Sequence, residues 1–370
     1  MQTDLFSTAS NRLTIDLSAL KDNWLRMRQL SGKARTSAVV KANAYGLGVE
    51  PVARALASAG ARDFFVASME EGIELRGILA DVRIYILAGL WPGHEKAFQQ
   101  HGLIPVINSV EQLEVVRQAG WLPYALHVDT GMNRLGLSLQ EARQVAASDA
   151  PSPLVVMSHL ACGDEPGHPL NASQLSRFRQ AAALFPDAEA SLANSAGVFQ
   201  GDDFHFDLTR PGIAVYGGEA VNDAANPMKP VVKAEARIIQ IRSALAGDTA
   251  SYGASATLAR DTRIATVTVG YADGYHRSVS GAGVTVRQAA PSGAFGFLHG
   301  TRVPHLGRVT MDLSLFDVSD LPETAVTAGD YIELFGNAIA LDDVARAGGT
   351  IGYELLTSLG KRYVRHYIGG

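Results

Sequence analysis

The sequence predicts an α/β protein with an N-terminal (β/α)8 TIM barrel and a C-terminal, mostly β domain. Eight apolar runs alternate with helical patterns over about 200 residues, which is the count and size of such a barrel. Near residue 230 the pattern changes to short alternating strands, and two prolines in NPMKPVV (226–232) predict a linker. We therefore assign 1–231 to the barrel and 232–370 to the β domain. About the first ten residues are able to pack with the β domain.

The apolar runs give the predicted barrel strands in order. Before them, RLTIDL (12–17) alternates apolar and polar residues, which predicts a further strand. Near-continuous apolar strands between helices are typical of a parallel sheet covered on both faces. An open doubly wound sheet is the alternative, but no GxGxxG motif follows the first strand. The eight barrel strands are predicted in SAVVKA (37–42), FFVAS (64–68), VRIYILA (82–88), LIPVIN (103–108), YALHVD (124–129), LVVMSHL (154–160), EASLAN (189–194) and GIAVYG (212–217).

In the second half of the chain, apolar and polar residues alternate with a period of two, which is typical of strands that expose one face to solvent. VKAEARI (232–238) alternates apolar with charged residues, and helices are predicted near DDVARAGG and TIGYELLTSLG. Further short strands are predicted in TRIATVTVG (262–270), VTVRQA (284–289), TRVPHLG (301–307), LSLFDVS (313–319) and YIELFG (331–336).

Composition excludes several classes of function. The 370 residues are 47% apolar and 19% charged, with a net charge of -5 and no basic block, so nucleic acid is not an expected partner. The single cysteine, Cys162, excludes an intrachain disulfide and a four-thiolate zinc site. No signal-peptide pattern opens the chain and no apolar stretch is long enough to span a membrane, so we expect a cytoplasmic protein.

Chemically active side chains collect at the predicted carboxyl ends of the barrel strands, where barrel enzymes carry their active sites. A desolvated lysine among cations becomes nucleophilic at neutral pH. A hydroxyl and backbone amides beside a glycine suit a phosphate group. Together these groups suggest pyridoxal phosphate (PLP) as the cofactor. The side chains are Lys41 after strand one, Arg134 after strand five, His159 at strand six, Asn194 and Ser195 at strand seven, and Arg210 with Gly212 at strand eight.

At this point the sequence resembles a known family. VVKANAYGLG (39–48) closely resembles the PLP-lysine motif of bacterial alanine racemases. Eight further motifs keep the order of that family over nearly the whole chain, which makes the resemblance specific. They are HVDTGMNRLG (127–136), VVMSHLA (155–161), LANSAG (192–197), TRPGIAVYG (209–217), SYGAS (251–255), TVGYADGY (268–275), GRVTMDLS (307–314) and TIGYELL (350–356).

The resemblance implies a PLP-dependent homodimer that interconverts L- and D-alanine and supplies D-alanine for peptidoglycan. Lys41 would hold PLP as a Schiff base and act as the base for D-alanine. Tyr252, on the β domain of the other subunit, would be the base for L-alanine. Arg210 would hydrogen-bond the pyridine nitrogen and keep it unprotonated, which suppresses side reactions. Further cofactor contacts would come from Tyr45, Leu87, Arg134, His159, Asn194, Ser195, Gly212, Ile213 and Tyr353.

The same resemblance implies how the substrate enters and binds. Arg134 and the backbone amide of Met311 would bind the alanine carboxylate, and no metal is expected. Tyr271, Tyr353 and Asp312 would form the entrance, and the two tyrosines would favour a small side chain.

One position departs from the family pattern. Many members have a lysine before the xDTGM motif, which can be carbamylated to give an anion that orients the arginine. Here that position is His127, which cannot supply the anion. We expect Arg134 to be oriented instead by Asp129, a chloride ion or water.

The sequence was also compared with three alternative functions and one alternative metal site. A racemase for serine or several amino acids stays open, because a pocket separates substrates by only about 1–3 kcal/mol per methylene. Arg210 argues against a decarboxylase of related fold, whose chemistry benefits from a protonated ring beside a carboxylate. The second domain and Tyr252 argue against a non-enzymatic PLP carrier. A metal held by His159 and His168 lacks an evident third ligand.

Overall fold

The computed structural model describes residues 2–280 and 293–370. The strand predicted at 284–289 lies outside the described residues. Contacts divide the chain into a barrel unit, Leu20–Lys229, and a C-terminal unit, Met1–Ala19 with Pro230–Gly370. The division falls inside the predicted linker, two residues before the predicted boundary, and it groups the first 19 residues with the C-terminal unit. No helix of the described residues is long and apolar enough to cross a bilayer.

Strands and helices alternate from the N-terminus to the linker. 3₁₀ helices lie at Asp202–Phe204 and Ile213–Tyr216. The other elements in chain order are α1 (Gln2–Thr8), β1 (Asn11–Asp16), α2 (Leu17–Leu30), β2 (Arg35–Thr36), β3 (Ala38–Val39), α3 (Lys41–Tyr45), α4 (Val49–Ala59), β4 (Asp63–Val66), α5 (Met69–Ile78), β5 (Arg83–Ile86), α6 (Glu95–His101), β6 (Leu103–Ile107), α7 (Val110–Gln118), β7 (Ala125–His127), α8 (Leu139–Ala146), β8 (Val155–Met157), α9 (Pro169–Ala182), β9 (Glu189–Ser191), α10 (Ser195–Phe199) and β10 (Leu208–Thr209).

The parallel sheet of the barrel unit curls round into a barrel. Seven strands pair in the order β3 to β9. β10 pairs in parallel with β2, and on its other flank the Asp207 N–H donates to Ala190 O at 3.0 Å and the Arg210 N–H to Ala193 O at 2.8 Å. Because β2 leads directly into β3 through Ser37, these bonds join the last strand to the first. The predicted barrel architecture is confirmed.

The barrel interior is filled by side chains from alternate strand positions, as expected for a packed core. Phe65 and Tyr85 stack with their ring centroids 4.5 Å apart. Leu87 packs against this core from its edge. The buried cluster contains Phe65, Tyr85, Ile104, Val106, Ala125, Val155, Met157 and Leu208.

The predicted eighth strand is wrong. GIAVYG winds into the 3₁₀ helix Ile213–Tyr216, which ends at Gly217 with φ 86°. Strand eight is instead the two residues of β10, Leu208–Thr209. Ile213–Tyr216 is fully buried, so its side chains are expected to be apolar whether the segment forms a strand or a helix. A short buried run therefore does not reveal its own period.

The C-terminal unit contains an antiparallel ring of strands. Short 3₁₀ helices lie at Tyr252–Ala254, Tyr271–Asp273, Arg277–Ser280 and Glu323–Ala325. The other elements are β11 (Val232–Ala244), β12 (Thr249–Ala250), β13 (Ala256–Thr257), β14 (Thr262–Val267), β15 (Phe295–Leu298), β16 (Thr301–Leu306), β17 (Ser314–Asp317), β18 (Tyr331–Phe335), α11 (Leu341–Ala347), α12 (Gly352–Ser358) and β19 (Tyr363–Ile368).

The long strand β11 closes this ring. Its first half pairs with β18 and its second half, beyond a register shift between Ile238 and Gln240, pairs with β14. The strand order β14-β17-β16-β15-β18-β11 thus returns to β14. β1 adds to β11 on the other side and pairs in parallel with β19. The predicted mostly β character of this half is confirmed.

Candidate active site

Lys41 stands where strand one turns into an unusual left-handed segment. The four residues after it, Ala42–Tyr45, all have φ between 52 and 55°, a region that L-residues visit singly rather than in runs. The carboxylate of Glu71 stabilises the turn by accepting the Ala42 N–H at 2.6 Å and the Ala67 N–H at 2.7 Å. Such strain concentrates at functional sites, where the surrounding structure fixes one geometry.

The surroundings of Lys41 favour its uncharged amine. The side chain is half-buried, and this burial together with the positive charge of Arg134 lowers its pKa, while Glu71 acts in the opposite direction. A lysine whose pKa is lowered offers a larger fraction of nucleophilic amine near pH 7. The amine therefore fits the carbonyl chemistry predicted for it.

Ser195 and Gly212 form a compact cradle of donors. The Ser195 Oγ accepts the Gly212 N–H at 2.8 Å and the Ala214 N–H at 3.4 Å, so its own proton is available for an anionic ligand. A Cβ on Gly212 would lie 2.2 Å from the Tyr45 hydroxyl, so only glycine fits beside that side chain. Tyr45, Ser195, Gly212 and Ile213 thus meet in one place, and these groups fit a phosphate.

Tyr45 and Asn194 are each fixed by a local contact. The Tyr45 ring stacks on Tyr216 with centroids 4.3 Å apart, and the Tyr216 hydroxyl donates to Val39 O at 2.9 Å. The Asn194 Oδ1 accepts the Gly197 N–H at 2.9 Å and so caps α10. Helix capping is therefore the role of Asn194 that the structure shows. Its contact with the cofactor stays a prediction.

Arg210 is buried among carbonyl oxygens. Nη1 donates to Ser191 O at 2.8 Å, and Nη2 donates to Ser158 O at 2.5 Å and to Leu192 O at 3.4 Å. Nε makes no hydrogen bond to the described part of the chain, so it remains available to a ligand. Burial lowers the pKa of Arg210 to about 9, which still leaves the guanidinium charged at pH 7.

Two histidines near this arginine are neutral. Burial, reinforced by Arg210 and Arg134, lowers the pKa of His159 well below its usual value. The buried ring of His127 has a pKa lowered to about 4, mainly by burial. Its Nδ1 lies 2.8 Å from Asn108 Oδ1.

Asn108 determines which ring nitrogen of His127 carries the proton. The Asn108 Nδ2 donates to Val106 O at 2.8 Å and to Leu87 O at 3.0 Å, which leaves Oδ1 as the acceptor. Nδ1 of His127 is therefore the donor and Nε2 carries a lone pair. At the family's lysine position this chain thus has an uncharged acceptor.

The structure shows no ion pair between Asp129 and Arg134, and the expectation that Asp129, a chloride ion or water orients Arg134 stays a prediction. The Asp129 carboxylate accepts the backbone N–H groups of Gly131, Met132 and Asn133 at 2.8 to 3.2 Å, so it organises its own loop. Arg134 is exposed and makes no ion pair within the described residues, although its charge acts on Lys41 and both histidines. Most of these bonds go to Oδ1, so the main visible role of the Asp129 carboxylate is to hold this loop.

The C-terminal unit carries the other predicted residues on its surface. Tyr252 begins a 3₁₀ turn and is 73% exposed, beside an open pocket of about 400 Å³ that Thr310, Leu313 and Leu315 also line. The remaining residues of this group are exposed as well, namely Tyr271, Met311, Asp312 and Tyr353.

Arg362 links two of the loops that present these residues. Its Nε and Nη2 hold the fully buried Asp273 at 2.6 and 2.8 Å, and its Nη1 reaches Asp312 at 2.6 Å. Backbone bonds join the same loops, since the Tyr271 N–H donates to Thr310 O at 3.0 Å. The loops of Tyr271 and Met311 are therefore joined by both side-chain and backbone hydrogen bonds.

Three contributors were not predicted from the sequence: Glu71, Asn108 and Arg362. Glu71 had a partial signal, because SMEE (68–71) has the form of a helix capping box, with Ser68 accepting the Glu71 N–H. Its carboxylate, however, reaches two strand ends. Among the residues that the structure describes, no three histidine, cysteine or acidic side chains come together as a metal site.

Known proteins of one family are similar to this chain over both of its units. A family model described as "Alanine racemase, N-terminal domain" matches residues 15–220, and "Alanine racemase, C-terminal domain" matches 231–367. The alanine racemase of Rhizobium meliloti (strain 1021) is 67% identical over the whole of both chains. The biosynthetic alanine racemase of Agrobacterium fabrum is 55% identical, over 99% of this chain and 96% of that protein.

The fold is similar to that of solved structures. The crystal structure of alanine racemase from Bartonella henselae with covalently bound pyridoxal phosphate superposes with a TM-score of 0.88. It is 38% identical in sequence and covers 97% of this chain and 100% of that chain.

Proposed function

The chain belongs to the alanine racemase family, and from this premise we propose that it interconverts L- and D-alanine with PLP by a two-base mechanism. Lys41 is the base on the D-alanine face. Tyr252 of a second copy is the base on the L-alanine face, so the working enzyme is a homodimer.

The residues of the barrel unit fit PLP. Lys41 has a lowered pKa for covalent attachment, the Ser195 and Gly212 cradle suits the phosphate, and the Arg210 Nε is available for the ring nitrogen. When bound, PLP withdraws electrons from Cα of the amino acid and so acidifies the proton there.

The single observation that carries the choice of reaction is the environment of Arg210. Its guanidinium is held by backbone carbonyls and keeps its charge at pH 7, and no carboxylate of the described residues pairs with it. A donor of this kind leaves a ring nitrogen unprotonated, which limits how far negative charge is withdrawn and suppresses competing decarboxylation. This favours proton exchange at Cα over loss of the carboxylate.

Proton transfer then rests on two groups of this chain. One base removes the Cα proton from its face, and the other returns a proton on the opposite face, after which their roles are reversed. Arg134 and the Met311 amide orient the substrate carboxylate. Tyr271, Tyr353 and Asp312 form the entrance that favours the methyl side chain.

We infer a biosynthetic role, with D-alanine supplied for peptidoglycan. The support is the 55% identity to a relative named as biosynthetic. A cytoplasmic location follows from the same role.

The test follows alanine in D₂O with purified, PLP-loaded protein. We expect L-alanine to lose optical rotation while deuterium enters Cα, and Tyr252→Phe to abolish the racemisation of both enantiomers. Tyr124→Phe is the matched control, because the Tyr124 hydroxyl donates to Pro151 O at 2.7 Å within the barrel unit. Racemisation of serine but not alanine by the unaltered protein would contradict the substrate. Normal racemisation by Tyr252→Phe would contradict the two-base mechanism.

A further inference from the structure

The backbone immediately before Tyr252 is strained. Ser251 has φ 67° and ψ 177°, a region that is essentially confined to glycine. Gly253 and Ala254 follow with φ of 70° and 46°. Three of the four residues from 251 to 254 thus have positive φ, so the direction of the Tyr252 side chain between them is set by whatever holds that backbone.

The hydroxyl of Ser251 holds it through two hydrogen bonds to one residue. Its Oγ donates to Arg308 O at 2.7 Å and accepts the Arg308 N–H at 3.1 Å. This two-way bond attaches the turn to the segment after β16. An aliphatic residue at 251 would retain the strained conformation and lose both bonds.

Close packing reinforces the attachment. A Cβ on Gly307 would lie 2.5 Å from the Ser251 Cβ, so the chain at Gly307 approaches the turn as only glycine allows. A Cβ on Gly253 would lie 3.0 Å from Arg308 Nη1. The turn therefore sits against Gly307 and Arg308 on both sides of Tyr252.

Tyr252 itself has little packing of its own. Its side chain is 73% exposed and borders an open pocket, so ring contacts do not fix its position in this unit. The backbone of the turn is the stronger constraint, and the Ser251 hydroxyl is what anchors that backbone.

We propose that Ser251 is a positioning residue for Tyr252, holding the phenol where it exchanges a proton with the L-alanine face. This rests on the proposed function, in which Tyr252 is the base for that face. Without the anchor, the proton transfer that uses Tyr252 slows, while the transfer that uses Lys41 continues.

The test separates these two transfers by following D-alanine in D₂O with the PLP-loaded enzyme. Lys41 removes the Cα proton of D-alanine, and a deuteron that has exchanged onto the amine from solvent returns to the same face, which gives deuterated D-alanine without inversion. Inversion needs a proton from Tyr252. The ratio of Cα exchange to racemisation, measured by NMR and chiral chromatography, therefore reports on Tyr252 alone.

Two variants and a control are compared. Ser251→Ala removes both hydrogen bonds but keeps the strain, and Ser251→Gly removes both the bonds and the strain, which protects folding. We expect both to raise the exchange-to-racemisation ratio for D-alanine roughly tenfold, since small misplacement of a reacting group has large effects on rate. Ser319→Ala, which removes a hydroxyl that accepts the Arg263 N–H at 2.9 Å, leaves the ratio unchanged.

The outcomes are distinct. Exchange and racemisation that fall together at constant ratio, or no change in either variant, would overturn the proposal, because they indicate a structural role or none. Tyr252→Phe provides the limiting case, with exchange of D-alanine and no inversion. If Tyr252→Phe racemises normally, the proposed base and this inference fail together, whereas failure of the Ser251 variants alone leaves the base in place.

Discussion

Arg210 carries a positive charge inside the barrel, where backbone carbonyls and the Ser191 hydroxyl accept its hydrogen bonds. Carbonyl oxygens of Ser158, Ser191 and Leu192 surround its two terminal nitrogens. A fully desolvated ion without such acceptors would be strongly unfavourable. Because carbonyls cannot take up its proton, they stabilise the cation and leave its function as a donor intact. This arrangement suits a residue that must present one fixed N–H to a ligand.

His127 contributes a neutral ring, and its pKa gives a pH-dependent prediction. The pKa of its buried imidazole is lowered to about 4, from an unfolded value near 6.5. Below pH 6.5 the unfolded chain binds a proton that the folded chain does not, so stability falls as pH decreases from about 6.5 to 4. The contribution of this residue over that window is about 3 kcal/mol.

The comparison of His127 with His127→Gln measures this contribution. Glutamine removes the titration, so the variant should lose less stability than the parent between pH 6.5 and 4.5 in urea unfolding. His159 and His305, whose pKa values are also lowered by burial, remain in both proteins and provide the common background. Parallel stability curves would show that His127 is protonated as easily in the folded chain as in the unfolded one.

At the scale of residues, sequence reasoning found groups that occupy strand ends and missed those that support them. Lys41, Ser195 and Arg210 follow apolar runs, so their position on the barrel rim could be read from order alone. Glu71 and Asn108 act on residues 29 and 19 positions away, a separation that no local pattern records. Sequence order also did not show that the Asp129 carboxylate accepts the backbone N–H groups of its own loop.

At the scale of elements, the clamp formed by Arg362, Asp273 and Asp312 has two unequal arms. Asp273 is fully buried and held by two nitrogens of Arg362, whereas Asp312 is exposed. Removing the partner of a buried carboxylate leaves an uncompensated charge, which is strongly destabilising. An exposed pair contributes little.

We therefore expect Arg362→Ala and Asp312→Asn to differ. Arg362→Ala should reduce the free energy of unfolding by on the order of 2 kcal/mol, a value discounted because Arg362 is itself half exposed. Asp312→Asn should change it by about 1 kcal/mol or less. Urea unfolding of the two variants checks this, and equal losses would mean that the buried arm does not dominate.

Element prediction failed where an element is short or its partner is distant. The apolar runs of β4 to β8 alternate with helical patterns, and this alternation identified them as strands although β7 and β8 have only three residues each. β10 has only two residues, and the apolar run after it is a buried 3₁₀ turn, so hydrophobicity alone pointed to the wrong segment. The left-handed turn after Lys41 has no sequence signature either, because Ala42 and Ala44 are not typical of that conformation.

At the scale of the whole molecule, the N-terminal strand belongs to the unit formed by the far end of the chain. β1 pairs with β11 on one side and with β19 on the other, from Asn11 to Asp16. The alternation of RLTIDL predicts a strand but contains no information about which strands it joins. The C-terminal unit therefore consists of two separate segments of the chain, the first 19 residues and the segment from Pro230 onward.

Because β1 belongs to the C-terminal unit, a core substitution in β1 should destabilise that unit. Leu13 is fully buried between β11 and β19, and Leu13→Ala should destabilise the C-terminal unit by about 3 kcal/mol through lost burial and a residual cavity. Leu126→Ala is the matched control, since Leu126 is equally buried in β7 of the barrel. Hydrogen exchange followed by mass spectrometry should show faster amide exchange in β11 and β19 for the first variant, and in β6 and β8 for the second. Faster exchange in the barrel strands of Leu13→Ala would instead mean that the N-terminal strand stabilises the unit next to it in sequence, and the two-unit division would have to be redrawn.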